Sequence, residues 1–185
     1  MNALNLYPTT DVDDLAWPEE MEGLTMKSPA LNFFTDFKEV MPLVVESTVP
    51  AIEAKRLMQK THVRLKFVLN ESGKFVGIIS ADDLIDRIIM QKVSEGMRRD
   101  EIELSDFMTP RRDLKALDYQ EVVKASISEV VSKLKDSGHQ HCLVVDRDKH
   151  KIRGIFSASD ISRKLHLPIN IQDKSSFYKV FSVTA

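Results

Sequence analysis

Hydrophobic residues in the first half of the chain change from helical to strand spacing within about thirty positions. Ile52, Leu57 and Met58 are spaced for one face of a helix. The stretches "VRLKFVL" (63–69) and "FVGIIS" (75–80) are apolar and β-branched, as strands are, and the polar turn "NESGK" separates them. An apolar stripe beyond residue 80 then predicts a second helix. The pattern predicts a helix, a β-hairpin and a helix.

The same pattern occurs again in the second half. Val130, Val131 and Leu134 have helical spacing, and "HCLVVD" (141–146) and "IRGIFS" (152–157) form the second pair of predicted strands. Aligning Gly77 with Gly154 superimposes Leu57–Gly77 on Leu134–Gly154 without a gap, so that His62 meets His139 and Val68 meets Val145. With "PLVV" (42–45) and "EVV" (121–123) as opening strands, each unit has the predicted order β-α-β-β-α. The chain is therefore an internal repeat.

The clearest identity between the units lies where the hairpin ends and the helix begins. "GIISADD" (77–83) and "GIFSASD" (154–160) share glycine, isoleucine, serine, alanine and aspartate. A serine followed three residues later by an acid is typical of a capping box. A helix N-terminus with a hydroxyl and a carboxylate also suits phosphate and ribose. From the residues alone both interpretations stand.

Composition indicates an ordinary soluble protein. The chain has 185 residues, 43% hydrophobic and 29% charged, with a net charge of −2. That balance gives no reason to expect nucleic acid or an anionic membrane as partner. A single cysteine, Cys142, favours a reducing compartment, and no apolar run is long enough to cross a bilayer. We therefore expect a complete, cytoplasmic protein.

Several motifs together resemble the CBS domain, the regulatory module named after cystathionine β-synthase. They are "VGIISADDL" (76–84) and "RGIFSASDI" (153–161), the hairpins before them, and "DFMTP" (106–110), with the weaker "MKSP" (26–29) upstream of the first unit. The resemblance implies an α/β (α+β) fold of two β-α-β-β-α units packed with pseudo-twofold symmetry. It implies clefts for adenosine nucleotides between the units, and a disk-like homodimer.

The resemblance also sets the expected domain boundaries. We expect an acidic N-terminal arm (1–27), a first CBS domain (28–95), a charged, solvated linker (96–105), a second CBS domain (106–168) and a C-terminal tail (169–185). The tail ends in "SSFYKVFSVTA", whose alternation is compatible with an extra strand.

Ligand-facing residues follow from the same resemblance. Asp83 and Asp160 are expected at ribose, with Ser80 and Ser157 at phosphate. If "HVRLKFVL" is a strand, His62, Arg64 and Lys66 share one face. Further phosphate candidates are therefore His62, Arg64, His139, His141, Arg111 and Arg112. The expected walls of an adenine pocket are Val44, Val45, Ile78, Met108, Val123 and Ile155. The alternatives are a polar strand edge that faces water and apolar side chains that only fill the core.

No enzymatic or metal chemistry is expected. His139 and His141 share a strand face, but Cys142 points the other way and no cysteine–histidine pair has structural-zinc spacing. The chain contains neither a P-loop nor a dinucleotide-binding glycine motif. The predicted function is a regulatory sensor that needs no cofactor, binds AMP, ADP, ATP or S-adenosylmethionine, and relays occupancy to an effector protein. The alternative is a structural interaction module with empty clefts.

Overall fold

The computed structural model describes Pro8 and residues 23–171, in which two four-stranded mixed sheets carry helices on their outer faces. The strands are β1 (Thr35–Asp36), β2 (Val44–Glu46), β3 (Leu65–Leu69), β4 (Phe75–Ser80), β5 (Thr109–Pro110), β6 (Ala116–Asp118), β7 (His141–Asp146) and β8 (Lys151–Ser157). The helices are α1 (Ala51–Lys60), α2 (Asp86–Ser94), α3 (Tyr119–Val122), α4 (Ile127–Ser137) and α5 (Ala158–Leu165), with short 3-10 turns between them. The predicted repeat of β-α-β-β-α units is confirmed.

Each sheet borrows an edge strand from the other half of the chain. The first sheet has the order β2-β3-β4-β5 and the second the order β1-β8-β7-β6. Thus β1, which lies before the first unit, pairs antiparallel with β8, while β5, which opens the second half, pairs with β4. The predicted boundaries at residues 28 and 106 therefore do not separate the two sheets.

The opening strand of the second unit differs from the prediction. "EVV" was predicted as a strand, but Glu121 and Val122 lie in α3, and the strand is β6, just before it. The Asp118 carboxylate accepts a hydrogen bond from the Gln120 amide at 3.0 Å, which begins the helical turn. Burial of Val122 in the second core outweighs the strand preference of valine.

The alignment of the two units is wrong by one residue before the hairpin turn. Val68 pairs with Gly77 and Val144 pairs with Gly154, so Val68 is equivalent to Val144 and not to Val145. The second hairpin turn holds the extra residue. Both turns end in a left-handed residue, Gly73 or His150. Consequently His62 is equivalent to Gly138, not to His139.

Three hydrophobic clusters hold the molecule together. Two of them lie between a sheet and its own helices, around Met58 and Ile79 in the first unit and Leu134 and Phe156 in the second. The third, with Phe67 at its centre, lies between the two sheets. The predicted solvated linker is only partly correct, because Ile102 and Leu104 are fully buried in the first unit.

The glycine of each repeated phrase is required by the exchanged edge strands. A Cβ atom on Gly77 would lie 2.4 Å from the backbone oxygen of Thr109 on β5. A Cβ atom on Gly154 would lie 2.1 Å from the backbone oxygen of Thr35 on β1. Because neither strand could approach so closely past a side chain, these glycines belong to the fold.

Candidate functional site

The first repeated phrase forms a complete capping box. The Ser80 amide and hydroxyl donate to Asp83 Oδ2 at 2.8 and 2.7 Å, and the Asp83 amide donates to Ser80 Oγ at 3.3 Å. The turn that it caps, Ala81–Leu84, is a 3-10 turn, and Ile85 is extended before α2 begins. The capping interpretation is therefore confirmed here, and a ribose would have to share the Asp83 carboxylate with Ser80.

The second phrase has the same sequence pattern but different contacts. The Ser157 hydroxyl lies 2.8 Å from Ser159 Oγ, and Asp160 Oδ1 accepts from Arg163 at 2.5 Å. Among the described residues, the Ser157 side chain caps no helix amide. Position 159 is a serine where the first unit has Asp82, and its hydroxyl takes the place of a helix amide as the partner of Ser157. The two serine–aspartate pairs are thus not equivalent in their local bonding.

These contacts predict unequal costs of replacing the two aspartates. Asp83→Ala is expected to lower the free energy of unfolding by about 0.5–2 kcal/mol, the usual cost of losing an N-terminal cap. Asp160→Ala should cost about 0.5 kcal/mol or less, because its partner Arg163 is largely exposed. Urea denaturation without ligand measures both. An equal loss in the two variants would contradict the difference in capping.

Both serines lie on the side of their sheet that faces the other unit, which we call the inner face. Phe67 and Ile78 are neighbours across β3 and β4 and belong to the cluster between the sheets. Ser80 follows Ile78 by two residues on the same strand and therefore points the same way. Ser157 follows Ile155 in the same manner, and Ile155 belongs to the same cluster. Ser157 is buried, whereas Ser80 is only half-buried.

Two of the predicted phosphate ligands gather beside α1. His62 has a φ of 53° directly after that helix, so it lies in a turn and the prediction of a strand from residue 62 is wrong. His62 and Arg64 line a hollow of about 530 Å³ that also contains Lys55 and Asp86. Lys55 and Asp86 pair at 2.7 Å, and Arg64 lies 3.6 Å from Asp82. Ser80 and Asp83 are not among the residues that line this hollow.

Lys66 also departs from the predicted strand face. It is buried, and its register partner is Ile79, a member of the core between the first sheet and its helices. The predicted shared face of His62, Arg64 and Lys66 is therefore wrong, because β3 begins only at Leu65.

His141 is the histidine that the fold places at the junction of the units. It is the first residue of β7, its register partner is Ser157, and it is half-buried. Burial lowers the pKa of the imidazole below the ordinary histidine value, while the nearby Asp160 carboxylate acts in the opposite direction. Arg64 of the first unit also lowers the pKa of His141. Charged residues of both units thus act on the pKa of His141.

The other predicted phosphate ligands lie apart from the two serines. His139 is exposed after the end of α4. Arg111 and Arg112 lie in an exposed 3-10 turn after β5, which runs along β4 away from Ser80. Because Pro110 pairs with Gly77, the two arginines lie beyond the glycine end of the first phrase and not at its serine.

The predicted adenine walls fall into three groups. Ile78 and Ile155 lie in the cluster between the sheets, and Val44 is at the same level as Phe67 on the exposed edge of the first sheet. Val45 and Met108 pack against the core between the first sheet and its helices. The strand prediction that placed Val123 at this face is wrong, since it ends α3 and is exposed.

The sequence prediction missed the apolar residues that precede Val44. Val40, Met41 and Leu43 are exposed, with Met41 at 87%. The run "VMPLVV" (40–45) indicates such a surface, because its apolar residues do not alternate with polar ones. One buried strand face can use only every second residue, so the other apolar side chains are left exposed. We call Met41, Leu43 and Val44 the apolar edge.

Among Pro8 and residues 23–171, no three histidine, cysteine or acidic side chains come together as a metal site would require. No helix of that part of the chain has the length and hydrophobicity to cross a membrane.

Comparison with known proteins identifies the family. The model of the CBS domain matches residues 37–90 and 104–167. An uncharacterised conserved protein from Pyrococcus horikoshii is similar in structure, with a TM-score of 0.57 and 26% identity over 80% of this chain and 98% of that one. CBSX2 in complex with AMP has a TM-score of 0.53 and 21% identity over 74% of this chain and 94% of that one.

A further structural relative is the CBS domain pair of protein MJ0100, in complex with 5'-methylthioadenosine and S-adenosyl-L-methionine. It has a TM-score of 0.51 and 20% identity over 74% of this chain and 98% of that one. No curated protein matches the chain. At these identities, the likeness to CBSX2 and MJ0100 concerns the fold.

Proposed function

The chain belongs to the CBS domain family, and from that premise we propose that it is a regulatory module that binds an adenosine-containing ligand between its two units. The observation that carries the proposal is the placement of Ser80 and Ser157 on inner faces, each followed three residues later by an aspartate. CBSX2 and MJ0100, which share the fold, bind AMP and adenosine-containing sulfur compounds. The ligand of this chain belongs to that chemical class, as AMP, ADP, ATP or S-adenosylmethionine.

Occupancy would be relayed by a shift between arrangements of the two units. A ligand that contacts residues of both units favours the arrangement in which both contacts form, in proportion to its differential affinity. The exchanged strands β1 and β5 tie each sheet to the opposite half of the chain, so a change at the junction reaches both units. The output would pass to a second copy of the chain or to an effector protein, and no catalytic step is proposed.

A thermal-shift panel tests this function. AMP, ADP, ATP and S-adenosylmethionine are added at millimolar concentration to the full chain and to Asp83→Ala and Asp160→Ala. Ligand that binds only the folded state raises the unfolding midpoint of the wild type by an amount set by its concentration relative to its Kd. We expect at least one ligand to do so, and one of the alanine variants to lose that increment.

Guanosine monophosphate serves as the control ligand, since it carries the same sugar and phosphate on another base. A wild type that responds to none of the four adenosine compounds would rule out the sensor and favour the structural interaction module. An equal response to guanosine monophosphate would rule out recognition of adenosine.

A further inference from the structure

The connection between the opening strand and the long helix that follows differs in length between the two units. Glu46 and Asp118 end equivalent strands, because β2 and β6 pair in the same register with β3 and β7. Four residues (47–50) separate β2 from α1, whereas eight (119–126) separate β6 from α4 and include α3. Since the first unit makes the same connection without such a helix, the fold does not require α3.

The extra helix forms one side of a groove beside α4, which we call the α3–α4 groove. It has a volume of about 370 Å³. Its floor is apolar, because Val122 and Val130 belong to the second core and Leu117 and Ala125 pack against that core. Pockets that bind ligands have volumes of about 300–1,000 Å³ and mostly apolar linings. The groove therefore has the size and the lining of a binding site.

Lysine side chains flank the groove on two sides. Lys124 follows α3 and Lys133 lies on α4, and both are exposed. Two acids also line the groove, Glu121 and Glu129. The Glu129 carboxylate is turned toward the start of α4, where it accepts from the amide and the hydroxyl of Ser126, both at 2.8 Å. An occupant of the groove therefore faces two ammonium groups and one carboxylate, which favours an apolar group with acids beside it.

The described part of the N-terminal arm lies next to this groove. The Ala30 amide donates to the carbonyl of Ala125, a groove residue, at 2.9 Å, and the Ser128 amide donates to Met26 O at 3.0 Å. Leu24 and Met26 pack against the second core, to which the floor of the groove also belongs. The earlier residues of the arm are therefore attached close to the groove.

The arm has the length and the chemistry of an occupant. Trp17 precedes Leu24 by seven residues, which span up to about 23 Å when extended. Lys133 lies only about 7.5 Å along α4 from Ser128, so the whole groove is within reach. The arm contains no lysine or arginine before Lys27, and its acids are Asp11, Asp13, Asp14, Glu19, Glu20 and Glu22. An indole with acids on both sides in the sequence matches an apolar floor with a lysine on each side.

We propose that the N-terminal arm docks in the α3–α4 groove of its own chain, with Trp17 on the apolar floor and the neighbouring acids paired with Lys124 and Lys133. This inference goes beyond the proposed function and does not depend on whether the two units bind a nucleotide. In the docked state the arm covers the floor of the groove, so a partner that binds either surface has to displace the other.

Acrylamide quenching of fluorescence tests the docking, because Trp17 is the single tryptophan of the chain. The quenching constant of the full chain should be at least about twofold lower than that of a synthetic peptide of residues 1–22, since the groove covers one face of the indole. Lys124→Glu/Lys133→Glu turns two attractions into repulsions and should weaken docking about tenfold. Its quenching constant should therefore rise toward that of the peptide.

Lys135→Glu/Lys151→Glu is the matched control, because it makes the same change of charge at exposed lysines that do not line the groove. Its quenching constant should equal that of the wild type. All four lysines are exposed, so the unfolding midpoints of the two double variants should match. A wild type that is quenched as strongly as the peptide would overturn the docking, and a groove variant that behaves like the control would overturn the assignment to the groove.

Two further measurements distinguish other places for the arm. If Leu43→Lys, at the apolar edge, exposed Trp17 while the groove variant did not, the arm would bind the apolar edge and the proposal would be wrong. A quenching constant that falls as the protein concentration rises would indicate docking on a second copy, which would overturn the assignment to the same chain. None of these measurements uses a nucleotide, so each outcome leaves the proposed sensor function to its own test.

Discussion

Gly154→Ala is expected to lower the free energy of unfolding by roughly 3 kcal/mol, at the upper end of the usual cost of overpacking. The added Cβ atom would lie 2.1 Å from Thr35 O and 2.4 Å from a ring carbon of Phe34. The backbone oxygen cannot move away unless β1 separates from β8, and the Phe34 ring is held against Phe156 with centroids 5.2 Å apart. Urea denaturation followed by far-UV circular dichroism measures the loss.

Lys151→Ala is the matched control, because it changes an exposed residue of the same strand. Surface substitutions of this kind cost within about 0.5 kcal/mol. Gly77→Ala should resemble Gly154→Ala, since its Cβ atom would lie 2.4 Å from Thr109 O on the other exchanged strand. If Gly154→Ala were as stable as Lys151→Ala, the close pairing of β1 with β8 would be wrong.

The hairpins and the helix starts were predictable from sequence because their signals are local. Alternating β-branched residues, a polar turn and a serine–aspartate pair all lie within twenty residues of one another in each unit. The exchange of β1 and β5 was not predictable in this way. Each exchanged strand is two residues long, and its partner strand lies in the other half of the chain. A short edge strand is defined by what it packs against.

The candidate site shows the same division between local and tertiary information. Ser80 and Asp83 were predicted as a pair, and the structure brings their side chains together. His62 was predicted on the face of a strand, but α1 ends in a left-handed turn at that residue, where the second unit has Gly138. Histidine gives no warning of that conformation in the way that glycine does.

Asp36→Ala is expected to cost about 3 kcal/mol of unfolding free energy, because it leaves the Arg153 guanidinium without its partner in a largely buried place. Arg153 Nε donates to Asp36 Oδ1 at 2.7 Å, a second guanidinium N–H donates to Oδ2, and the two side chains are 12% and 15% exposed. The guanidinium carbon also lies 4.2 Å from the centroid of the Tyr119 ring. The pair thus holds β1 in the second sheet. Urea denaturation of the wild type and of Asp36→Ala measures the loss of unfolding free energy.

The exposed pair of Arg98 and Asp100 provides the comparison. Its side chains are 70% and 69% exposed, so Asp100→Ala should cost about 0.5 kcal/mol or less. If Asp36→Ala cost no more than Asp100→Ala, the buried pair would contribute nothing to the attachment of β1.

The contribution of Asp36 to the free energy of unfolding depends on pH in a direction that its pKa determines. The hydrogen bond from Arg153 holds the pKa of the Asp36 carboxyl below its ordinary value of 3.8. As the pH falls through 3.8, the unfolded chain takes up a proton at Asp36 while the folded chain does not, so stability is lost until the lowered pKa is passed. The difference between the wild type and Asp36→Ala should be constant near neutral pH and should shrink below about pH 4.

Replacing both partners separates the attraction within the pair from the cost of burying it. In Asp36→Ala/Arg153→Met no buried charge is left without a partner, and the methionine side chain can keep the apolar contact with Tyr119. The double variant should therefore be more stable than Asp36→Ala alone, by about 1–2 kcal/mol. If Arg153→Met instead lowered the free energy of unfolding further in the Asp36→Ala background, the two residues would act independently. The contact of Arg153 with Tyr119, not its pairing with Asp36, would then hold the exchanged strand in place.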